Sequence, residues 1–240
     1  MKILIVSGFL GAGKTTFIKR LARNVDQRFA ILENEYGAAG IDGARLGQNR
    51  QGTQKNVWEM TEQCICCIGK KDFAASVLTI ANVVDPEYLI VEPTGVGSLA
   101  RIIENLRQIE YERIQLLSPV TIVDVYSYRR YMAEYPELYQ DQIRSADTII
   151  VSKTEACQAE EKQRIQKFLQ EINSQAKIIT DYASTMTRED YQSLLLGSRY
   201  EKKVQDTQSG EKMPETFSFE NIRMEAPETL WCFLEQIIRG

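Results

Sequence analysis

Gly8-Phe9-Leu10-Gly11-Ala12-Gly13-Lys14-Thr15 (GFLGAGKT, residues 8–15) matches the pattern G-x-x-x-x-G-K-[ST], and its setting decides the fold. It follows a β-rich apolar run, KILIVS (2–7), and opens a helical pattern over 14–25. Gly8, Gly11 and Gly13 let the backbone curl until successive N–H groups face phosphate oxygens, and the helix that follows adds its positive end. The cradle runs from Gly8 through Ala12 to Thr16, with Lys14 expected to reach the β and γ phosphates and the Thr15 hydroxyl to bind Mg²⁺. The bland alternative is a glycine-rich turn with a stray lysine.

Outward from this loop, short apolar runs alternate with helical patterns, the signature of βαβ units on a parallel sheet. Strands are expected at 2–7, 29–33, 88–92, 120–124, 148–152 and 176–180. Most are apolar throughout, as strands covered on both faces are. Helices are expected at 14–25, 70–84, 98–109, 125–134, 158–173 and 187–196. The fold class is therefore α/β, a three-layer P-loop NTPase fold with a mostly parallel central sheet and its ligand at the strands' carboxyl ends. That domain is expected over 1–198, followed by a polar linker at 199–215 and a short strand–helix appendage at 216–240.

Composition narrows the function classes. With 43% apolar residues in 240, the chain can bury a full core. A net charge of −4 without a Lys/Arg block argues against nucleic acid or an anionic membrane as the main partner. No apolar run approaches the roughly 18 residues of a membrane span, so a cytoplasmic location is expected. The chain has no histidine, which excludes Ser-His-Asp and Cys-His mechanisms. Five cysteines, three of them within four positions, do not resemble a disulfide framework.

Three further stretches carry chemistry. YLIVEPTG ends an apolar strand with Glu92, a carboxylate able to hold Mg²⁺ through water, and supplies Gly95, whose N–H can sense a γ-phosphate. TIIVSKTE places Ser152, Lys153 and Glu155 where a base would sit, in the manner of an Asn-Lys-x-Asp guanine motif; a plain helix N-cap is the alternative. EQCICCIGK presents Cys64, Cys66 and Cys67, soft ligands for one transition metal. A redox-sensing thiol pair or simple burial of small side chains stand beside that reading.

Taken in order, GFLGAGKTTFIKRL, ILENEYGAAGIDGARL, CICC, VEPTG and SKTE resemble the CobW-like branch of the metal-chaperone GTPases, the CobW/HypB/UreG family. The likeness covers roughly residues 1–180, with a weaker echo of the family's C-terminal domain near the end. It implies GTP and Mg²⁺ as cofactors, and Zn²⁺ or Co²⁺ held by Cys64, Cys66 and Cys67 with Glu33 as an oxygen ligand. It further implies a first switch at 34–44 with Asp42 near Mg²⁺ or the attacking water, and a second switch at Glu92–Gly95. The catalytic set would then be Lys14, Asp42, Glu92 and Gly95. The implied partners are a client metalloprotein or corrinoid-pathway enzyme and a second copy of the chain. Departures are Ser152 and Glu155 in the guanine motif, Gln63 in place of a glycine before the cysteines, and most of the C-terminal domain. Rival classes are a P-loop small-molecule kinase and a non-catalytic regulator that senses nucleotide and metal.

Overall fold

The structure, a computed structural model, describes residues 1–27, 29–34, 57–62, 70–197 and 199–201. Eight strands form one sheet: β1 (Lys2–Gly8), β2 (Phe29–Asn34), β3 (Val57–Glu62), β4 (Tyr88–Glu92), β5 (Gln115–Leu116), β6 (Val120–Asp124), β7 (Thr148–Ser152) and β8 (Lys177–Ile179). Their order is β3-β2-β4-β1-β6-β7-β8, β5 joins β1, and every pairing among them is parallel.

Helices cover both faces. They are α1 (Lys14–Asn24), α2 (Lys70–Val83), α3 (Leu99–Arg107), α4 (Tyr128–Glu134), α5 (Pro136–Arg144), α6 (Ala159–Ile172), α7 (Tyr182–Thr185) and α8 (Arg188–Leu196). The two-residue period of β1 explains the layers. Ile3 and Ile5 pack with Phe73, Val77 and Ile80 of α2 and Leu99, Ile103 and Leu106 of α3. Leu4 and Val6 face the other way, against Phe17, Ile18 and Leu21 of α1 and Tyr191 and Leu195 of α8. A third cluster joins Val123 and Val151 to α4, α5 and α6 through Tyr128, Ile143 and Ile165. Each large apolar side chain removed from water in these clusters contributes about 1.5–3 kcal/mol.

The chain leaves β1 toward β2 on one side and later returns as β6 on its other side. Such a reversal opens a crevice at the carboxyl end of the central strand, where α/β sheets bind ligands. The expected strands all form. Two more, β3 and β5, and two helices, α5 and α7, were not anticipated. Proline at the first position of α5 starts a new helix directly after α4. Arg199 and Tyr200, placed in the expected linker, dock on the domain. Arg199 bridges to Leu117, while Tyr200 is 3% exposed and donates its hydroxyl to the Ser145 carbonyl at 3.2 Å. Among the described residues no helix is long and apolar enough to cross a membrane.

Candidate functional site

β1 ends at Gly8, and the loop to α1 runs through Gly11 and Gly13, all three with positive φ (+143°, +70° and +99°). At Gly8 a Cβ would collide with the Ile122 carbonyl oxygen of the adjacent β6, so the loop needs glycine for space as well as for backbone angle. Gly13 caps α1 without a side-chain hydrogen bond, and the first turn of α1 carries no acidic residue. Its leading N–H groups are therefore open to an anion without a competing carboxylate from the helix itself.

The Lys14 ammonium folds back over the loop, donating to the Gly8 carbonyl at 2.9 Å and the Phe9 carbonyl at 3.3 Å. Burial pushes its pKa below the ordinary lysine value, while the Glu92 charge acts the other way. An anion placed beside this partly desolvated cation would interact with it more strongly than in bulk water. Thr15 and Thr16 are exposed on the first turn of α1. The Thr15 hydroxyl donates to Glu92, 3.0 Å from Oε1 and 3.3 Å from Oε2. Hydroxyl and carboxylate oxygens at a phosphate cradle form the hard donor set that Mg²⁺ takes, so these residues fit that ion.

The turn after β4 presses against the loop. At Gly95 a Cβ would collide with the Leu10 amide nitrogen and lie 2.8 Å from the Phe9 carbonyl carbon. Phe9 is itself wedged among Tyr131, Tyr135 and Tyr139, with ring centroids 4.4, 5.8 and 5.3 Å away. The Tyr131 hydroxyl donates to the Leu10 carbonyl at 3.1 Å. The α4–α5 hairpin thus braces the outer wall of the loop.

At the end of β7 the three residues of the expected base motif separate in role. Ser152 is buried and its hydroxyl donates to the Ala12 carbonyl at 2.6 Å, tying the carboxyl end of β7 to the phosphate loop. Lys153 takes a left-handed backbone, φ +60°, and its ammonium pairs with Asp124 at 2.7 Å. Glu155 is exposed near Tyr182, whose hydroxyl feels its charge. Asp124 was not singled out from sequence. Burial would raise its pKa, but hydrogen bonds from Lys153, the Tyr126 N–H and the Ser127 hydroxyl hold it below the usual carboxylate value. Asp181 lies in the turn beside this motif, paired with Lys162 at 2.6 Å, and that bond is the first cause of its lowered pKa.

The structure therefore brings Gly8, Gly11, Ala12, Gly13, Lys14, Thr15, Glu92, Gly95 and Ser152 together at one end of the sheet. The backbone of Glu33, in β2, is in register with Glu92 on one side and Thr61 on the other. The Glu33 side chain, residues 35–44 with Asp42, the cysteines Cys64, Cys66 and Cys67, and the expected linker beyond residue 201 with the appendage lie outside the described residues. Among the described residues no group of three or more Cys, Asp or Glu side chains is placed to hold a metal ion.

The model of the CobW/HypB/UreG nucleotide-binding domain matches residues 2–180. The chain is 30% identical to the zinc chaperone YeiR of Escherichia coli over 178 residues, 73% of this chain and 53% of YeiR. It is 27% identical to the zinc chaperone CobW of Pseudomonas aeruginosa, over 75% of this chain and 56% of that one. The chain spans about half the length of these curated relatives. Among solved structures, the Zn(II)-bound YjiA GTPase of E. coli aligns with a TM-score of 0.57 at 20% identity, covering 84% of this chain and 66% of YjiA. The hydrogenase maturation factor HypB of Archaeoglobus fulgidus aligns at 0.53 with 17% identity, covering 82% and 89%. These two likenesses bear on the fold, a P-loop NTPase α/β sheet.

Proposed function

The chain belongs to the CobW/HypB/UreG family, and from that premise we propose that it is a cytoplasmic metallochaperone GTPase. It binds GTP with Mg²⁺, hydrolyses it slowly, and uses the nucleotide state to hold or release zinc or cobalt for a client metalloprotein or corrinoid-pathway enzyme. The observation that carries the nucleotide half is the Thr15–Glu92 contact beside a glycine cradle. Those two residues would hold Mg²⁺, which when bound offsets the charge on the phosphate oxygens.

In this reading Lys14 serves the β and γ phosphates, with Gly8, Gly11, Ala12, Gly13 and Thr16 shaping the cradle. The Gly95 N–H meets the γ-phosphate, and Asp42 orients the attacking water. Glu155 accepts from the guanine edge, the Lys153 stem lies against the base, and Ser152 acts indirectly by fixing Ala12. The cargo metal goes to Cys64, Cys66 and Cys67, with Glu33 as an oxygen donor. Two relatives named as zinc chaperones support zinc as the cargo. Turnover is slow because such sites are completed by a partner or a second copy of the chain.

The test is a Co²⁺ titration of the reduced, metal-free protein, following thiolate-to-cobalt absorbance with Mg²⁺ alone, with a non-hydrolysable GTP analogue and with its ATP counterpart. Tightening of about tenfold by the GTP analogue alone, a coupling near 1.4 kcal/mol, is the expected result. Equal affinity in all three conditions, or no thiolate band, overturns the chaperone reading.

A further inference from the structure

The turn after β4 is held from outside as well as by its own Gly97 N–H to Thr94 carbonyl bond. It hangs from α5, through two adjacent residues that the proposed nucleotide chemistry does not use. The Gln142 side chain is fully buried, and its Nε2 donates to the carbonyls of Gly95 at 3.2 Å and Gly97 at 3.0 Å. Asp141 accepts from the Ala100 N–H at 3.3 Å and is also bonded by the Ser98 hydroxyl and the Leu99 N–H, so it caps α3 where that helix leaves the turn. The backbone of Gln142 is fixed in turn, its carbonyl accepting from the Thr121 hydroxyl of β6 at 2.9 Å.

A core amide present only for packing would be matched or bettered by leucine or methionine. Here the Gln142 Oε1 is buried without a hydrogen-bond partner among the described residues, and such an oxygen destabilises the fold. What this side chain supplies, and an apolar one of similar size would not, is a pair of N–H donors aimed at one turn. The turn has little other freedom. Gly97 N–H bonds to the Thr94 carbonyl at 3.1 Å, Val96 is buried in the cluster that contains Phe9 and Tyr139, and Gly95 packs on the Leu10 amide nitrogen. Gln142 grips the carbonyl of Gly95, one peptide beyond the N–H assigned to the γ-phosphate.

We infer that Gln142 is a positioning residue for triphosphate recognition: through the Gly95 and Gly97 carbonyls it holds the turn in the attitude that distinguishes a nucleoside triphosphate from a diphosphate. This rests on the guanine-nucleotide reading above and adds the residue that sets the nucleotide-state preference. A diphosphate, which has no γ-phosphate to meet Gly95, is indifferent to it. Gln142 touches no part of the nucleotide.

The experiment uses the full chain with Mg²⁺ and measures affinity for a non-hydrolysable GTP analogue and for GDP by calorimetry, in the parent, Gln142→Leu and Gln142→Glu. In both variants the ratio of triphosphate to diphosphate affinity falls about tenfold while GDP affinity stays within about twofold. An unchanged ratio, or parallel loss of both affinities, overturns the inference and leaves the nucleotide reading intact. A parent chain that binds neither nucleotide overturns both. Should the variants not fold, amide hydrogen exchange on the parent decides. Protection of residues 93–97 and 138–143 rises together with the triphosphate analogue and not with GDP if Gln142 links them. A response confined to 93–97 overturns the link.

Discussion

The Thr15 hydroxyl donates to the Glu92 carboxylate, joining the first turn of α1 to the carboxyl end of β4 at 3.0 Å. Thr15 closes the phosphate-loop motif and Glu92 ends β4, so the contact sets a hydroxyl beside a carboxylate where a divalent cation would meet the phosphates. Thr15→Ala and Glu92→Gln should each lower kcat for GTP hydrolysis by roughly 100-fold, while Thr15→Ser keeps most of it. Phosphate release at saturating GTP and Mg²⁺ checks this, and parental turnover in Glu92→Gln would remove that residue from the site.

Ser152→Ala tests the tie between the end of β7 and the loop. Removing the hydroxyl leaves the Ala12 carbonyl, on a residue only 2% exposed, without its 2.6 Å donor. A loss of about 1–3 kcal/mol in urea unfolding is expected. Affinities for GTP analogue and GDP should fall together, because the loop serves the phosphates of both. A variant as stable as its parent would mean the bond contributes nothing net.

Alanine at the loop glycines should separate backbone strain from steric collision. Gly11 has φ +70° with nothing within 4 Å of the added Cβ, so Gly11→Ala costs only the left-handed penalty of about 1–2 kcal/mol. Gly8→Ala adds a collision with the Ile122 carbonyl oxygen, which belongs to a sheet strand and cannot move aside. Its denaturation midpoint should fall well below that of Gly11→Ala. The reverse order contradicts the geometry.

Acid stability should report on Asp124. Its folded-state pKa lies below the ordinary value of 3.8, so the unfolded chain binds the proton more tightly than the folded protein does. The stability it contributes is therefore complete above about pH 4 and is lost as pH falls through the depressed folded value. Asp124→Asn should be less stable than the parent near neutral pH, and the difference should narrow on acidification below pH 4. Parallel acid-unfolding curves would sink this assignment.

The phosphate loop was legible because its spacing is a direct statement of backbone geometry, and β1, β4, β6 and β7 were legible because burial on both faces leaves their middles almost wholly apolar, with polar residues mainly toward the ends. β3 escaped notice because a strand at the edge of the described sheet need not be apolar throughout: VWEMTE mixes Glu59, Thr61 and Glu62 with Trp58 and Met60. α5 was hidden by Pro136, which reads equally as the end of one helix and the first residue of the next. With α5 unread, Asp141 and Gln142 had no element to stand on. Ser152 was legible as a residue but not as a bond, since sequence does not say which carbonyl a hydroxyl will choose. Asp124 carried the same signal as Glu92, a carboxylate closing an apolar strand, without a named motif to draw attention to it.

The strand order has a mechanical consequence. From the phosphate loop outward, the carboxyl edge of the sheet presents β1, β4, β2 and β3, the last of which ends at Glu62, two residues before Cys64. At the usual strand spacing this row is roughly 14 Å wide. β1, β4 and β2 each have a hydrogen-bonded neighbour on both sides, whereas β3 pairs only with β2 among the described strands. Shifting β3 breaks one ladder; shifting β1 breaks at least two. Among the described strands the row is therefore tied from both sides under the phosphates and from one side at β3, so a displacement of β3 strains fewer ladder hydrogen bonds than the same displacement of β1.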